Sequence, residues 1–200
     1  MRSLSKSFAL LMVLAFVFVG CGKEPTADID AAKAAIDAVV AAGANVYAKD
    51  ELAKLNEDFQ AAQTEITAQA DKTFKNYAKA TELLVKVKTD AEALQAAIPA
   101  KMEEAKNGAL AAQTEAQAAI AATKELLAKA PTLKALKPEL DAAKAELKDI
   151  EGAYAQIQTA IDSSDFMGAK DMAVSLKDKA TSITDRINMA IEKAKVPGTK

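Results

Sequence analysis

The sequence predicts an all-α fold, an elongated antiparallel helical bundle or coiled-coil-like array. Alanine, lysine, glutamate, leucine, aspartate and glutamine dominate the chain, a composition typical of long helices. Apolar residues recur at alternating steps of three and four, which places them in one stripe along a helix. No stretch sustains the alternation of apolar and polar residues that marks a half-buried strand.

Successive stripes predict six helices. They cover residues 29–39, 52–66, 77–98, 102–119, 136–161 and 166–190. The fourth stripe consists almost wholly of alanines. A neighbouring helix can therefore approach it closely, but little apolar area is buried per residue.

The breaks between stripes fall at residues that begin or end helices. Gly43 and residues 71–73 separate the first three stripes, and Pro138 suits the first turn of the fifth helix. Residues 162–165 (DSSD) offer oxygens that could cap the last helix. Pro99 stands between the third and fourth stripes, where it either kinks one long helix or ends it.

Short matches relate the two halves of the chain and predict two copies of a three-helix unit. The matching segments are residues 34–36 and 118–120, residues 49–52 and 137–140, and Phe74 and Phe166. The units would span residues 27–98 and 102–195, and residues 196–200 would form a flexible tail.

The N-terminal residues have the three parts of a secretory signal peptide. Arg2 and Lys6 are basic, residues 8–20 (FALLMVLAFVFVG) carry no charge, and Gly20 is small. The uncharged run is shorter than the roughly 20 apolar residues that a membrane-crossing helix needs. We therefore predict that residues 1–20 are a cleaved signal peptide.

Cys21 is the only cysteine and directly follows this run. Residues 18–21 (FVGC) resemble the lipobox of bacterial lipoproteins, although leucine is usual where Phe18 stands. The resemblance implies diacylglycerol on the Cys21 sulfur, cleavage before Cys21, and a fatty acyl group such as palmitate on the new amino terminus. The alternatives are an ordinary signal peptide with an incidental cysteine and an uncleaved anchor.

The same resemblance implies a location in the bacterial cell envelope. Residues 21–26 would be a lipidated tether, and membrane lipid would be held through acylated Cys21, because two or more acyl chains anchor a protein stably. Lipoproteins kept at the inner membrane carry aspartate after the cysteine. Gly22 therefore favours the outer membrane, with the protein facing the periplasm.

The mature chain would be acidic. Removing Arg2 and Lys6 from 26 basic residues leaves 24 against 28 acidic ones, a net charge near −4. Nucleic-acid binding needs clustered positive charge, so we expect no nucleic-acid partner.

Residues 41–52 (AAGANVYAKDEL) contain Ala-Gly-Ala, then Tyr-Ala, then Asp-Glu-Leu. With the lipobox-like signal, they resemble a family of alanine-rich bacterial envelope lipoproteins that share a helical domain of unknown function. Residues 138–140 (PEL) keep part of this pattern but lack the preceding glycine and tyrosine. The resemblance implies a tetratricopeptide-like helical array and no known activity.

The sequence lacks the usual residues of an active site. It contains no histidine, the commonest general base and metal ligand, and no glycine-rich phosphate loop. Asp162 and Asp165, at a predicted helix start, suit capping better than metal binding. We therefore expect no enzyme, no catalytic residue, no metal and no cofactor.

Three surface features are candidates for contacts. The lysines 72, 75, 79, 86 and 88 suggest a patch for anionic lipid or peptidoglycan, although a solvated face with interleaved acids is the simpler interpretation. Tyr47, expected in a loop, is a candidate exposed contact or helix–helix clasp. Lys200 ends the chain, as in lipoproteins joined to peptidoglycan through a terminal lysine.

These observations favour a non-enzymatic scaffold or protein-interaction module with an envelope protein as partner. The alternative is a structural spacer or self-associating coiled coil between the outer membrane and peptidoglycan, attached through Lys200. A third hypothesis, an enzyme or small-ligand carrier, would need a pocket between helices.

Overall fold

The computed structural model describes residues 22–195. In that range the chain forms six helices and no strand, so the predicted all-α helical bundle is confirmed. The helices are α1 (Thr26–Ala41), α2 (Ala44–Tyr47), α3 (Lys49–Ala70), α4 (Ala78–Lys129), α5 (Lys137–Asp162) and α6 (Phe166–Lys195). The expected signal peptide at 1–20, Cys21 and the expected tail at 196–200 lie outside the described residues.

The chain divides after Ile98 into two compact units. The first contains α1, α2, α3 and the beginning of α4. Its core consists of the apolar stripes of the three longer helices, whose most deeply buried members are Ala32, Val39, Ala62, Ala80, Leu84, Val87, Ala91 and Ile98. The Lys79–Glu65 pair (3.1 Å) and the Lys86–Asp58 pair (3.5 Å) show that α3 and α4 run antiparallel.

Gly43 makes the turn from α1 into α2, as its place between two stripes predicted. Its φ of 104° lies in the left-handed region, which a glycine adopts without steric cost. Its N–H donates to the carbonyl of Val40 at 3.0 Å, and its own carbonyl accepts the N–H of Tyr47 at 3.0 Å. The chain therefore reverses without leaving these backbone groups unpaired.

A polar network holds the connection between α3 and α4. The side-chain amide of the buried Gln69 donates to Glu65 at 2.7 Å, and its oxygen accepts the N–H of Asn76 at 3.3 Å. The Asn76 side-chain oxygen accepts the N–H of Ala78 at 3.0 Å, where α4 begins. This connection is longer than the residues 71–73 that the sequence suggested.

Phe74 and Phe166 match in the two halves of the sequence, but the structure places them in different environments. Phe166 opens α6 and is buried, with 8% of its surface exposed, whereas Phe74 lies in the connection before α4 and is 90% exposed. The reason is the length of the connection. Phe166 is the first residue of its helix, but Phe74 precedes Ala78 by four residues.

The second unit contains the rest of α4, α5 and α6. Contacts between Gln113 and Gln158 (3.1 Å) and between Lys124 and Glu151 (2.7 Å) show that α4 and α5 run antiparallel. The helix α6 then returns parallel to α4. The alanine stripe of α4 is buried as expected, at Ala109, Ala112 and Ala116, and α6 buries Ala169, Ala173 and Ala180.

In the turn between α5 and α6, one of the two expected capping residues caps the last helix and the other does not. Asp165 caps α6, because its Oδ1 accepts the N–H of Gly168 at 3.0 Å. A Cβ at position 168 would overlap the Asp165 carboxylate where it now lies, so a side chain there would require the carboxylate to move. Asp162 does not lie at a helix start: it ends α5 and accepts a hydrogen bond from Gln158 at 2.8 Å. Ser164, between the helices, takes the left-handed φ of 65° that lets the chain turn.

Pro99 does not end a helix. The helix α4 continues through it from Ala78 to Lys129, so the third and fourth predicted helices are one. Proline removes one backbone hydrogen bond and costs a helix interior about 3 kcal/mol. Long runs of alanine and other strong helix formers on both sides offset that cost.

Thr123 carries the one fully buried polar side chain among the described residues of the second unit. Its hydroxyl lies 2.8 Å from the Ala119 carbonyl of its own helix, and 3.0 Å from the carbonyl of Ala180 and 2.9 Å from the hydroxyl of Thr184, so it also joins α4 to α6. We expect Thr123→Val to lower the free energy of unfolding by about 1 kcal/mol, because a buried hydrogen bond is lost. Urea unfolding with an unchanged m-value would measure it.

Thr114→Val is the matched control. The exposed Thr114 hydroxyl bonds only to the Leu110 carbonyl of its own helix, at 2.9 Å. We expect a change within about 0.5 kcal/mol, as for ordinary surface substitutions. Equal losses for the two variants would contradict a special role for Thr123.

Candidate functional site

The structure describes one of the three residues predicted as contact sites. Cys21 and Lys200 lie outside the described residues. Tyr47 is the last residue of the short helix α2 rather than part of a loop, and it is half-buried. A Cβ at Gly43 would lie 3.4 Å from Cδ2 of the Tyr47 ring, so the ring packs over the turn between α1 and α2.

Three of the five lysines of the suggested anionic-ligand patch are engaged in ion pairs. Lys79 pairs with Glu65, and Lys88 pairs with Glu92 at 3.7 Å. Lys86 lies between Asp58 and Asp90, at 3.5 and 2.5 Å. These cations are therefore neutralised by neighbouring acids. Lys72 and Lys75, in the connection between α3 and α4, are exposed.

Two carboxyl groups of the first unit, those of Asp58 and Glu65, have a lowered pKa because of such contacts. The pKa of Asp58 is lowered, chiefly by a hydrogen bond from Lys54 and further by the charge of Lys86. The pKa of Glu65 is lowered by hydrogen bonds from Gln69 and Lys79.

We expect the first unit to lose stability as the pH falls through the lowered pKa values of Asp58 and Glu65. A carboxyl with a lower pKa in the folded than in the unfolded state stabilises the fold above its unfolded pKa, and that contribution disappears as the folded carboxyl takes up its proton. The effect should be small because both groups lie at the surface. Thermal unfolding midpoints from neutral to strongly acid pH would measure it.

Glu65→Gln should lower the midpoint at neutral pH and flatten its fall in acid, because the titrating partner is gone. Glu57→Gln, on the exposed side of the same helix, is the matched control and should leave the acid slope unchanged. Identical acid slopes for the wild type and Glu65→Gln would refute the linkage.

A groove in the second unit is formed by the end of α4, the connection 130–136 and α5. We call it the α4–α5 groove; its volume is about 930 Å³. Leucines form its apolar part: Leu127, Leu133, Leu140 and Leu147. Leu127 and Leu147 are nearly buried, whereas Leu133 is 43% exposed. The groove therefore offers an apolar surface that solvent reaches.

Lysines surround this apolar surface: Lys124, Lys134, Lys137, Lys144 and Lys148. Lys124 pairs with Glu151 at 2.7 Å. Within residues 22–195, none of the other four forms an ion pair shorter than 4.0 Å, although Asp141 also lines the groove. The rim is therefore net positive in a protein whose net charge is negative.

An apolar floor with a cationic rim suits an amphipathic partner that carries acids. Lysine stems extend the apolar surface while their ammonium groups stay in water. An acidic helix with one apolar face would bury that face on the leucines and place its carboxylates near the lysines.

Sequence reasoning did not single out the groove. Leu140 and Leu147 were placed in a stripe, but the lysines were not considered together because they come from two helices and their connection. A signal was available: Lys137, Lys144 and Lys148 recur at steps of seven and four, and so share a face of α5.

The described helices include none whose length and apolar character would suit a membrane crossing. Comparison with known proteins gave no match to a protein-family model, a curated protein or a solved structure. The resemblance to alanine-rich envelope lipoproteins therefore rests on the sequence motifs and stays a prediction.

Proposed function

We propose that the protein is a non-enzymatic envelope lipoprotein, anchored through acylated Cys21, that acts as a scaffold or protein-interaction module. The α4–α5 groove is the observation that carries the interaction role. Its partner would be an envelope protein with an acidic amphipathic segment. The expected site of action is the outer membrane, on the periplasmic side.

The anchor is supported by the N-terminal sequence alone. The basic residues, the uncharged run of residues 8–20, the small Gly20 and the single Cys21 occur in the order that lipoprotein processing requires. The acylated amino terminus and the diacylglycerol would together supply more than one chain, which is the condition for stable membrane attachment.

The alternative is a spacer or self-associating coiled coil, attached to peptidoglycan through Lys200. Its main support was the set of apolar stripes, which also occur in helices that associate between chains. In this protein the stripe residues of α6, including Leu176, Ile183 and Ile187, are buried within a single chain. The stripes therefore need no second copy, which favours the scaffold.

Intact mass of the protein extracted from its native membrane tests the anchor. We expect the mass of residues 21–200 plus diacylglycerol and a fatty acyl chain, and no acyl mass for Cys21→Ala. An unmodified mass for the wild type would refute the lipoprotein proposal. Protein that stays on detergent-boiled cell-wall sacculi would instead support attachment through Lys200.

Site-specific photo-cross-linking in intact cells tests the groove. We expect a photoreactive residue at Leu133 to give a discrete adduct with one envelope protein, and the same residue at Leu110 to give none. The two leucines form a matched pair in the second unit, because Leu133 is 43% and Leu110 is 38% exposed, but Leu110 lies outside the groove.

Charge reversal separates docking from chance proximity. Lys144→Glu with Lys148→Glu should abolish the Leu133 adduct, because an acidic partner would be repelled. Lys170→Glu with Lys179→Glu, on exposed positions of α6, should leave it intact. Equal adducts at Leu110 and Leu133, or insensitivity to both reversals, would refute a groove-bound partner.

A further inference from the structure

The connection between α3 and α4, residues 71–77, holds an apolar side chain that the fold leaves in solvent. Phe74 is 90% exposed, whereas the other large apolar residues found exposed in the described range reach at most 55%. Solvation of a whole phenyl ring is unfavourable. An aromatic ring held at the tip of a helical hairpin is positioned to enter another apolar phase.

Two lysines flank this phenylalanine in the sequence. Lys72 and Lys75 are exposed, and neither has an ion pair within 4.0 Å among residues 22–195, in contrast to Lys79, Lys86 and Lys88. Segments that lie in the membrane interface combine Trp, Phe or Leu, which enter the boundary between headgroups and acyl chains, with lysines and arginines, which are attracted to anionic lipid. Asp71 is the one acid in the connection, so its charge is net positive.

The order of the helices in the first unit predicts that α1 begins toward the end of the unit where this connection lies. The helices α3 and α4 form an antiparallel hairpin closed by residues 71–77. The helix α1 joins α3 at the opposite end, and it buries Ala32, Ile36 and Val39. Starting from that junction, α1 can pack on its own unit only by running back along α3 and α4, toward residues 71–77.

The lengths agree with this arrangement. The helix α1 has 16 residues and α3 has 22, which correspond to about 24 and 33 Å at 1.5 Å per residue. For two helices that run side by side from their common junction, Thr26 would begin within about 10 Å of the level at which α3 ends. Cys21 precedes Thr26 by five residues, which can span up to about 17 Å. A lipid on Cys21 and the ring of Phe74 can thus reach one membrane surface.

We propose that residues 71–77 form a second membrane contact, in which Phe74 enters the interface of a bilayer containing anionic lipid and Lys72 and Lys75 bind lipid phosphates. The inference rests on the proposed lipid anchor. One phenylalanine and two lysines bind a bilayer only weakly, but the anchor holds them at a high effective concentration next to it. The contact fixes which end of the first unit faces the lipid.

Tryptophan fluorescence tests this contact directly, because the chain contains no tryptophan. Phe74→Trp would place a single probe in the connection. Val46→Trp is the matched control, since Val46 is 41% exposed and lies at the other end of α3. Both proteins, processed and acylated at Cys21, are reconstituted into vesicles of phosphatidylethanolamine and phosphatidylglycerol, with and without brominated acyl chains.

We expect a blue shift and severalfold stronger bromine quenching for the probe at position 74 than for the probe at position 46. Adding Lys72→Glu and Lys75→Glu to Phe74→Trp should reduce the quenching to the level of the control. Unchanged helical circular dichroism would show that these variants fold. A water-like emission at position 74 in vesicle-bound protein would overturn the second contact and leave the lipoprotein proposal intact.

The experiment can distinguish failure of the lipid anchor at Cys21 from failure of the membrane contact at residues 71–77. If the purified protein carries no acyl chain, it is added to the same vesicles from solution. Quenching at position 74 would then support the contact without the anchor, and its absence would overturn both. Shielding of the probe in native membranes but not in vesicles would show that a protein covers Phe74, which also overturns the lipid contact.

Discussion

Close packing of helices at alanines is the constraint on which the rest of the structure depends. In each unit the most deeply buried positions are mainly alanines, and many are wholly inaccessible to solvent: Ala32, Ala62, Ala80 and Ala91 in the first, and Ala109, Ala116, Ala143, Ala169, Ala173 and Ala180 in the second. Alanine lets helix backbones approach closely but buries little area. Stability must therefore come from many turns, with larger residues such as Leu84 and Ile157 filling space at intervals.

Close packing of the helices restricts where surfaces with unpaired charges or exposed apolar side chains occur. Along the helices, lysines and acids three or four residues apart pair with one another and leave little net charge, as in Lys86 with Asp90. In the connections between helices, larger apolar side chains such as Leu133 and Phe74 are exposed. The leucines near the junction of α4 and α5, and Phe74 near the junction of α3 and α4, both lie at or near such connections.

The helices could be predicted from the sequence because steps of three and four are a strong local signal. Gly43 and Pro138 marked breaks correctly, since each acts through its own backbone geometry. Pro99 was ambiguous because its effect depends on the propensity of the long alanine-rich segments around it. The position of Asp162 was misjudged because carboxylates suit the ends of both α5 and α6, and the pattern alone did not separate them.

The surfaces were harder to predict than the core. Phe74 matches the buried Phe166 in the sequence, but its own exposure follows from a connection length that periodicity does not encode. The groove lysines come from three segments, so their proximity depends on the antiparallel return of α5 along α4. The lipidation of Cys21 stays a prediction that rests on the order of residue types along the chain and depends on no tertiary structure.

The cap at the start of α6 couples two positions that periodicity treats as independent. Asp165 accepts the N–H of Gly168, and the missing Cβ of Gly168 makes room for the carboxylate. An alanine at position 168 would displace the carboxylate and lose the cap, so removing Asp165 afterwards would cost little more. The two substitutions are therefore non-additive. In a lineage descended from this protein, a side chain at position 168 would be tolerated most easily after the aspartate had been replaced, so the order of the two changes would matter.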